Sequence, residues 1–321
     1  MFERQIALPE IGEHGQRRIR DANVAIVGVG GLGAIAAQAL AAAGVGQLTL
    51  IDHDAVQATN LHRQYLYGHQ DVGRNKVVVA AEKFAGYPVA IRAEPVELMA
   101  ANAEQLMTGH DVVLDCTDRV AARHAINDAA RELEIPWIHA AVSRFEGQIA
   151  FFIPGGPCYT CLYPAAPEGP ACSGEGIPGP VPSVLGALQA TWALRSILEL
   201  PLPSTLVLLD LATGESTAVP RLFNRHCPCR GGLPRYESVF LQPSAMQTGD
   251  ILLDVRNAGE HPLLPQALLI PLQQIRDAQL PAGRIVCICR TGWRAQQAAR
   301  ILRHRGFDAY ALEGGMAAMA T

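Results

Sequence analysis

Four glycines follow a short apolar stretch and precede an alanine-rich segment, so that Val24–Ala34 predicts a strand, a loop and a helix. The glycines are Gly28, Gly30, Gly31 and Gly33. Without a Cβ atom, such a loop lets backbone N–H groups approach a phosphate, towards which the start of the helix directs its positive dipole end. The alternative interpretation is a tight strand-to-helix turn that binds nothing.

A second apolar stretch, Gln47–Asp52, ends in a carboxylate at the spacing from the glycines that a ribose-binding acid has. The polar segment that follows contains Asp54, Asn60, Arg63 and Gln64. Glycine loop and acid together predict a nucleotide site at the carboxyl edge of a parallel sheet.

Lys76 follows Gly73 at the predicted start of a helix that extends to about Phe84. The dipole of a helix favours an acid at that end, so a cation there suggests an anion bound between the two. The alternative is a solvated surface lysine. A third apolar stretch ends at Asp118, and we expect all three strand ends to meet in one crevice.

The chain contains two cysteine pairs, Cys158 with Cys161 and Cys227 with Cys229. The first pair has the two-residue spacing of a zinc knuckle, whereas the second has a single residue between its cysteines, a spacing that zinc sites use less often. Four thiolates can hold a structural zinc ion, and the alternative is four separate buried cysteines. Cys172 lies between the pairs, in a segment rich in proline, glycine and alanine that we expect to be a loop.

Near the end of the chain, Cys289 stands where a buried strand, 284–289, turns into a helix that begins near Ala295. The helix dipole, backbone N–H groups and two arginines, Arg290 and Arg294, favour a thiolate that can carry a transferred sulfur. The alternative is a buried structural thiol, which is what we expect of Cys287.

Composition limits the protein class. The 321 residues suffice for roughly two domains, 49% of them are hydrophobic, and the formal net charge is -4. We therefore expect neither a nucleic-acid-binding nor a membrane protein, and we expect a cytoplasmic location. Alternating strands and helices predict an α/β fold with a doubly wound, Rossmann-like, mostly parallel sheet, followed after residues 231–248 by a second, smaller α/β domain.

These motifs resemble the ThiF/MoeB/HesA branch of the ubiquitin-activating superfamily. The ThiF/MoeB-like domain that they indicate is predicted to span residues 1–232. Residues 237–321 resemble a rhodanese domain, through Cys289 to Arg294, Asp254 to Arg256 and Leu312 to Gly315. The order of the two is similar to that of fused MoeB–rhodanese sulfurtransferases. Arg119 departs from the pattern, since the family usually has Asn at that position.

The resemblance implies ATP-dependent adenylation of the C-terminal Gly-Gly carboxylate of a ubiquitin-like sulfur carrier protein of the MoaD or ThiS type, for molybdopterin, thiamine or a related product. It implies ATP, Mg²⁺ and Zn²⁺ as cofactors, a homodimer, and thiosulfate or a cysteine desulfurase persulfide as sulfur donor. Its catalytic residues would be Arg63, Asp118, Cys172 and Cys289.

By family position the remaining roles are also implied. Asp52 would bind the ribose, the glycine loop would lie near the phosphates, and Asp118 would bind Mg²⁺. Arg4 would reach into the partner's site. The full nucleotide-binding set is Arg4, Gly28, Gly30, Gly31, Gly33, Asp52, Asp54, Asn60, Arg63, Gln64, Lys76 and Asp118.

Two other functions use some of the same features. A nicotinamide-dependent oxidoreductase would use the glycine loop and Asp52, but it does not need Arg63, Lys76 and Asp118 around a leaving pyrophosphate. A non-catalytic scaffold that binds a ubiquitin-like protein would leave at least one of the polar clusters without a role.

Overall fold

The computed structural model describes residues 1–163, 176–224, 227, 229, 240–257, 266–275, 277–289, 293–312 and 315–316. The chain divides into two compact units. The first comprises Met1–Leu98 and Glu104–Asn224, and the second comprises Met99–Ala103 and Arg225–Thr321. In the described part of the chain, no helix is long and apolar enough to cross a membrane.

The first unit contains an eight-stranded sheet in the order β3-β2-β1-β4-β5-β6-β7-β8. Its first five strands in that order are parallel, and the last three pair antiparallel. The strands are β1 Asn23–Val27, β2 Gln47–Ile51, β3 Ala90–Glu94, β4 Val112–Asp115, β5 Trp137–Ser143, β6 Glu146–Phe152, β7 Thr205–Asp210 and β8 Glu215–Pro220. The predicted doubly wound, mostly parallel sheet is confirmed.

Helices cover this sheet. They are α1 Glu3–Ile6, α2 Gly12–Asp21, α3 Gly33–Ala43, α4 Lys76–Lys83, α5 Ala103–Met107, α6 Val120–Glu132, α7 Tyr159–Leu162 and α8 Pro180–Ile197. The side chains of α3 are small, and α8 packs closely against this helix. At the crossing, a Cβ added to Gly186 of α8 would lie 2.4 Å from the carbonyl oxygen of Leu32. Only glycine fits at that crossing.

The turn between β1 and α3 also requires glycine at two positions. Gly28 has φ +87°, and a Cβ there would lie 2.8 Å from the carbonyl oxygen of Cys116 on the neighbouring strand end. A Cβ on Gly33 would lie 1.8 Å from the carbonyl oxygen of Gly28. The glycine loop is therefore folded tightly on itself and against the end of β4.

The second unit is a five-stranded parallel sheet in the order β11-β10-β12-β13-β9. Its elements are β9 Phe240–Leu241, β10 Ile251–Asp254, β11 Leu268–Leu269, β12 Ile285–Ile288, α9 Trp293–His304 and β13 Ala309–Leu312. The four residues of β12 are fully buried, which explains their uninterrupted apolar character. The predicted smaller α/β domain is confirmed.

Several element bounds differ from those expected. β4 ends at Asp115, so Asp118 lies in the loop beyond the strand. The strand 205–210 is followed by a hairpin partner, β8, which the sequence did not predict because five of its six side chains are exposed and it carries no apolar pattern. α8 begins at Pro180 rather than near 184, because proline is well tolerated in the first turn of a helix.

Candidate functional site

A cavity of about 570 Å³ opens in the first unit where the parallel strands end. The three polar clusters expected at the ends of β1, β2 and β4 all line it. The predicted residues that it brings together are Gly28, Gly30, Gly31, Asp52, Asp54, Arg63, Gln64, Lys76 and Asp118. Among the other predicted residues, Gly33, Asn60 and Arg4 are not in its lining.

The glycine loop forms one wall of the cavity, and a side chain at either of two of its glycines would crowd a neighbouring residue. A Cβ on Gly30 would lie 3.3 Å from the Gln64 amide nitrogen, and one on Gly31 would lie 3.0 Å from Pro182. The bare backbone of the loop is thus what faces a ligand, as phosphate binding requires.

Asp52 directly follows β2 and is only 9% exposed. Its Oδ2 accepts the Val29 N–H at 2.8 Å and its Oδ1 accepts the Asp54 N–H at 2.9 Å. A carboxylate has about four acceptor positions, so both oxygens retain capacity for the hydroxyl groups of a ribose. The glycine loop, with which Asp52 was predicted to form a nucleotide site, therefore also holds the Asp52 carboxylate in place.

Lys76 is the first residue of α4 and is 4% exposed. Its Nζ lies 2.8 Å from Asp54 Oδ2 and 3.8 Å from Asp52 Oδ2. The alternative of a solvated surface lysine is therefore wrong. Within the chain itself, the anion expected beside this cation is the Asp54 carboxylate.

The contact with Lys76 also affects the pKa of Asp54. Partial burial by itself would raise the pKa of Asp54, but the hydrogen bond and charge of Lys76 outweigh burial and lower that pKa. The start of α4 is satisfied separately, because Asn75 Oδ1 accepts the N–H groups of Val77 and Val78 at 3.0 and 3.4 Å. The ammonium group of Lys76 carries only donors and takes no part in this capping, and it lies at the cavity wall beside Asp54.

Gln64 and Arg63, which are neighbours in the polar loop, differ in the hydrogen bonds that the described residues provide to them. Gln64 is 5% exposed, and its Oε1 has no hydrogen-bond partner among the described residues. A buried polar atom without a partner is costly, so a hydroxyl or amine of a ligand would be stabilising there. Arg63 is held by Asn60, whose Oδ1 accepts from Nη2 at 3.1 Å, which gives Asn60 an orienting role outside the lining.

Asp118 is exposed within the cavity, and no described residue donates a hydrogen bond or forms an ion pair to its carboxylate. An oxygen ligand left available in this way suits a hard divalent cation such as Mg²⁺. The next residue, Arg119, forms an ion pair with Glu97, which also lines the cavity. The family-atypical arginine is thus neutralised by a carboxylate of the loop after β3.

An ionisable pair beneath the cavity was not predicted. Asp115 and His139 lie opposite each other on β4 and β5, both fully buried, with Nδ1 2.7 Å from Oδ2. Burial alone would raise the pKa of Asp115, but the hydrogen bond and charge of His139 lower it, so the pair is a carboxylate beside a hydrogen-bonded imidazole. The only sequence signal was a second acid three residues before Asp118.

The four paired cysteines come together as predicted. One ligand atom from each of Cys158, Cys161, Cys227 and Cys229 lies within 4.8 Å of the others. The Sγ atoms of Cys158 and Cys161 are 3.9 Å apart, and zinc–sulfur distances of about 2.3 Å imply a tetrahedron edge of about 3.8 Å. The donor set and its spacing therefore fit zinc. Cys172 lies outside the described residues.

In the second unit, Cys289 directly follows β12 and is 1% exposed. The Ala295 N–H, in the first turn of α9, is directed at its Sγ at 3.4 Å. This is the strand-to-helix position that was predicted for the thiol, while Arg290 lies outside the described residues. Cys287 is a core residue as expected, and burial raises the pKa of its thiol.

Comparisons with known proteins agree with this arrangement. A model of the ThiF family matches residues 2–231, and a model of the rhodanese-like domain matches residues 242–321. The chain belongs to the ThiF family. Over 67% of its length it superimposes on 69% of the crystallised E. coli MccB with MccA-N7isoASN, at a TM-score of 0.59 and 22% identity, a likeness of fold.

Relatives of similar length share more sequence. The chain is 38% identical to a SAMP-activating enzyme E1 of Haloferax volcanii, over 74% of the chain and 92% of that protein. It is 38% identical to a sulfur carrier protein adenylyltransferase of Thermus thermophilus, over 73% and 91%. It is 31% identical to the adenylyltransferase and sulfurtransferase UBA4 of Yarrowia lipolytica, over 99% and 92%. The predicted enzyme class, an adenylyltransferase joined to a sulfurtransferase domain, is confirmed.

We predict that Lys76→Met raises the dissociation constant for ATP at least tenfold, about 1.4 kcal/mol, because Asp52 and Asp54 would then repel the phosphates unopposed. Lys83→Met is the matched control, since Lys83 lies on the same helix but pairs with Asp71 at 3.2 Å and does not line the cavity. Isothermal titration calorimetry measures both. Equal affinities for the two variants would exclude a role for Lys76 in nucleotide binding.

Proposed function

We propose that this protein uses ATP to adenylate the C-terminal carboxylate of a ubiquitin-like sulfur carrier protein, and that its rhodanese-like domain then supplies sulfur to the activated carboxylate. The observation that carries the proposal is the cavity, where a glycine loop, the hydrogen-bonded Asp52, the buried Lys76 and an Asp118 without a polar partner among the described residues meet at one sheet edge. The names of the relatives, which include sulfur carrier protein adenylyltransferase, support the choice of substrate.

In the adenylation step a carboxylate oxygen of the carrier attacks the α-phosphorus, and the bond to the leaving pyrophosphate breaks. Negative charge then grows on the pyrophosphate, and catalysis consists mainly of positioning and of stabilising that charge. Lys76 and Arg63, which line the cavity, would stabilise that charge, and Asp52, which also lines it, would hold the ribose. Mg²⁺, held by Asp118, would supply further charge neutralisation.

For sulfur transfer, the Cys289 thiolate would take the outer sulfur of thiosulfate and release sulfite, or would receive sulfur from a cysteine desulfurase persulfide. The terminal sulfur of the Cys289 persulfide attacks the acyl carbon of the adenylate, and AMP leaves. A second thiol then cleaves the S–S bond, so that the carrier leaves as a thiocarboxylate and a disulfide remains. Cys172 is our candidate for that thiol, by family position.

The position of Arg4 is compatible with the proposed homodimer. It lies on α1, is exposed, and is not among the residues that line the cavity of its own chain. In the proposed dimer it reaches the cavity of the partner subunit and adds one more cation near the phosphates.

We expect carrier-dependent exchange of labelled pyrophosphate into ATP, and we expect Asp118→Ala to reduce its rate at least a hundredfold, because the metal ion would lose its protein ligand. Asp21→Ala, at the exposed end of α2, is the control for an acid removed elsewhere. Exchange at the normal rate in Asp118→Ala would remove this residue from the mechanism. No exchange in the wild type with any Gly-Gly-ending carrier would contradict the proposed function.

We expect one zinc ion per chain, bound by Cys158, Cys161, Cys227 and Cys229. Structural zinc sites contribute on the order of 10 kcal/mol to folding, so chelation should lower the thermal unfolding midpoint clearly. Elemental analysis of protein purified without chelator measures the zinc content, and thermal unfolding followed before and after chelation measures the midpoint. A metal-free protein with an unchanged unfolding midpoint after chelation would refute the site.

We expect Cys289→Ser to abolish thiosulfate-dependent formation of the carrier thiocarboxylate while pyrophosphate exchange continues, because the two reactions use different domains. Cys287→Ser, two residues earlier on β12, is the matched control. Mass spectrometry of the carrier detects the 16 Da gain of the thiocarboxylate. If Cys289→Ser still forms thiocarboxylate at the normal rate, the sulfur comes from a separate protein.

A further inference from the structure

The fully buried carboxylate of Asp115 accepts hydrogen bonds from one residue of the loop above it and from one histidine, and Arg123 Nε lies 3.8 Å from its Oδ2. Its Oδ1 accepts the Thr117 N–H at 3.0 Å and the Thr117 hydroxyl at 2.7 Å. Its Oδ2 accepts from His139 Nδ1 at 2.7 Å. Asp115 therefore binds the residue that immediately precedes Asp118.

The backbone on both sides of this contact is held as well. Arg123 Nη2 donates to the Thr117 carbonyl oxygen at 2.9 Å. Gln189, a fully buried residue of α8, donates to the carbonyl oxygen of Asp115 at 2.8 Å. Thr117 is thus bound through its N–H, its hydroxyl and its carbonyl, and none of these groups is left to rotate freely.

Asp118 has the opposite character, because no described residue donates a hydrogen bond to its carboxylate or forms an ion pair with it. The direction in which it points is set by the backbone before it and by α6, which begins two residues later, at Val120. We propose that Asp115 is a positioning residue that fixes the loop 116–118, so that the Asp118 carboxylate meets the divalent cation bound with the nucleotide. This inference rests on the proposed function, in which Asp118 holds that cation.

The position requires a carboxylate rather than any polar side chain of that size. Three donors converge on Asp115, two at one oxygen and one at the other. Asparagine offers one oxygen only, so its NH₂ group would face either Thr117 or His139 Nδ1. A change of the His139 tautomer would relieve one clash, but Nε2 faces Gln148 at 3.1 Å, and the mismatch would pass to that side chain.

The experiment measures ATP binding to the full-length protein at equilibrium, with Mn²⁺ or with EDTA, and counts Mn²⁺ bound per chain by electron paramagnetic resonance. We expect Mn²⁺ to raise the affinity of the wild type for ATP, and Asp118→Ala to lose that gain. In Asp115→Asn, the ratio of the ATP affinity with Mn²⁺ to the ATP affinity with EDTA should be at least fivefold smaller than in the wild type. Its ATP affinity with EDTA should stay within twofold of the wild type. Asp111→Asn is the control, because that acid precedes the same strand at its opposite end and accepts the Asn23 N–H at 2.7 Å.

The outcomes separate the inference from its premise. If Asp115→Asn keeps the full metal-dependent gain that Asp118→Ala loses, Asp115 does not position Asp118. If Asp115→Asn weakens binding equally with and without metal, its role is only structural and the inference fails. If the wild type shows no gain from Mn²⁺, the assignment of Asp118 fails, and the inference fails with it.

A second variant covers the case in which Asp115→Asn does not fold. Thr117→Val removes one of the donors to Asp115 at nearly constant volume, and Thr117→Ser restores the hydroxyl. We expect Thr117→Val to lose part of the metal-dependent gain and Thr117→Ser to recover it. Equal behaviour of the two variants would overturn the inference.

Discussion

The carboxylate of Asp52 connects the three segments from which the nucleotide cavity is built. It accepts the Val29 N–H of the glycine loop and the Asp54 N–H of the loop after β2, and it lies 3.8 Å from the ammonium group of Lys76 at the start of α4. A buried charge is stable only when hydrogen bonds and an opposite charge replace its water shell. The three segments are therefore held in register by the group that the ligand also needs.

A second buried carboxylate repeats this arrangement at the end of β4. Asp115 is enclosed by donors from its own loop and from His139 on the neighbouring strand, and Gln189 binds the carbonyl oxygens of Asp115 and Ile138. Parallel strands end with carbonyl groups that no further strand pairing satisfies. Here the side chain of Gln189 satisfies the carbonyl oxygen of Asp115 at the end of β4, and it also binds the carbonyl oxygen of Ile138 within β5.

Sequence reasoning succeeded where a residue type has few alternatives. Glycines that admit no Cβ, acids at strand ends and paired cysteines each predict a local geometry, and periodicity placed the strands that carry them. It failed where the partner comes from elsewhere in the chain. The pairing of Asp115 with His139 depends on the register of β4 against β5, and the exposed edge strand β8 carries no apolar pattern, so neither was visible in the sequence.

The charges around the cavity show how a triphosphate could enter a site whose cations already have partners. Lys76 is paired with Asp54, whose side chain is 51% exposed, and Arg119 is paired with Glu97, which is 32% exposed. The Arg119–Glu97 pair is partly exposed at both ends and is worth only about 0–1 kcal/mol. The ammonium group of Lys76 is buried, so Asp54 can return to water only when a phosphate takes its place beside that charge. Asp52 is held by two backbone N–H groups and stays in place. Within the proposed function, Asp54 is therefore an exchangeable counter-ion for Lys76, whereas Asp52 is the fixed contact that a ribose would meet.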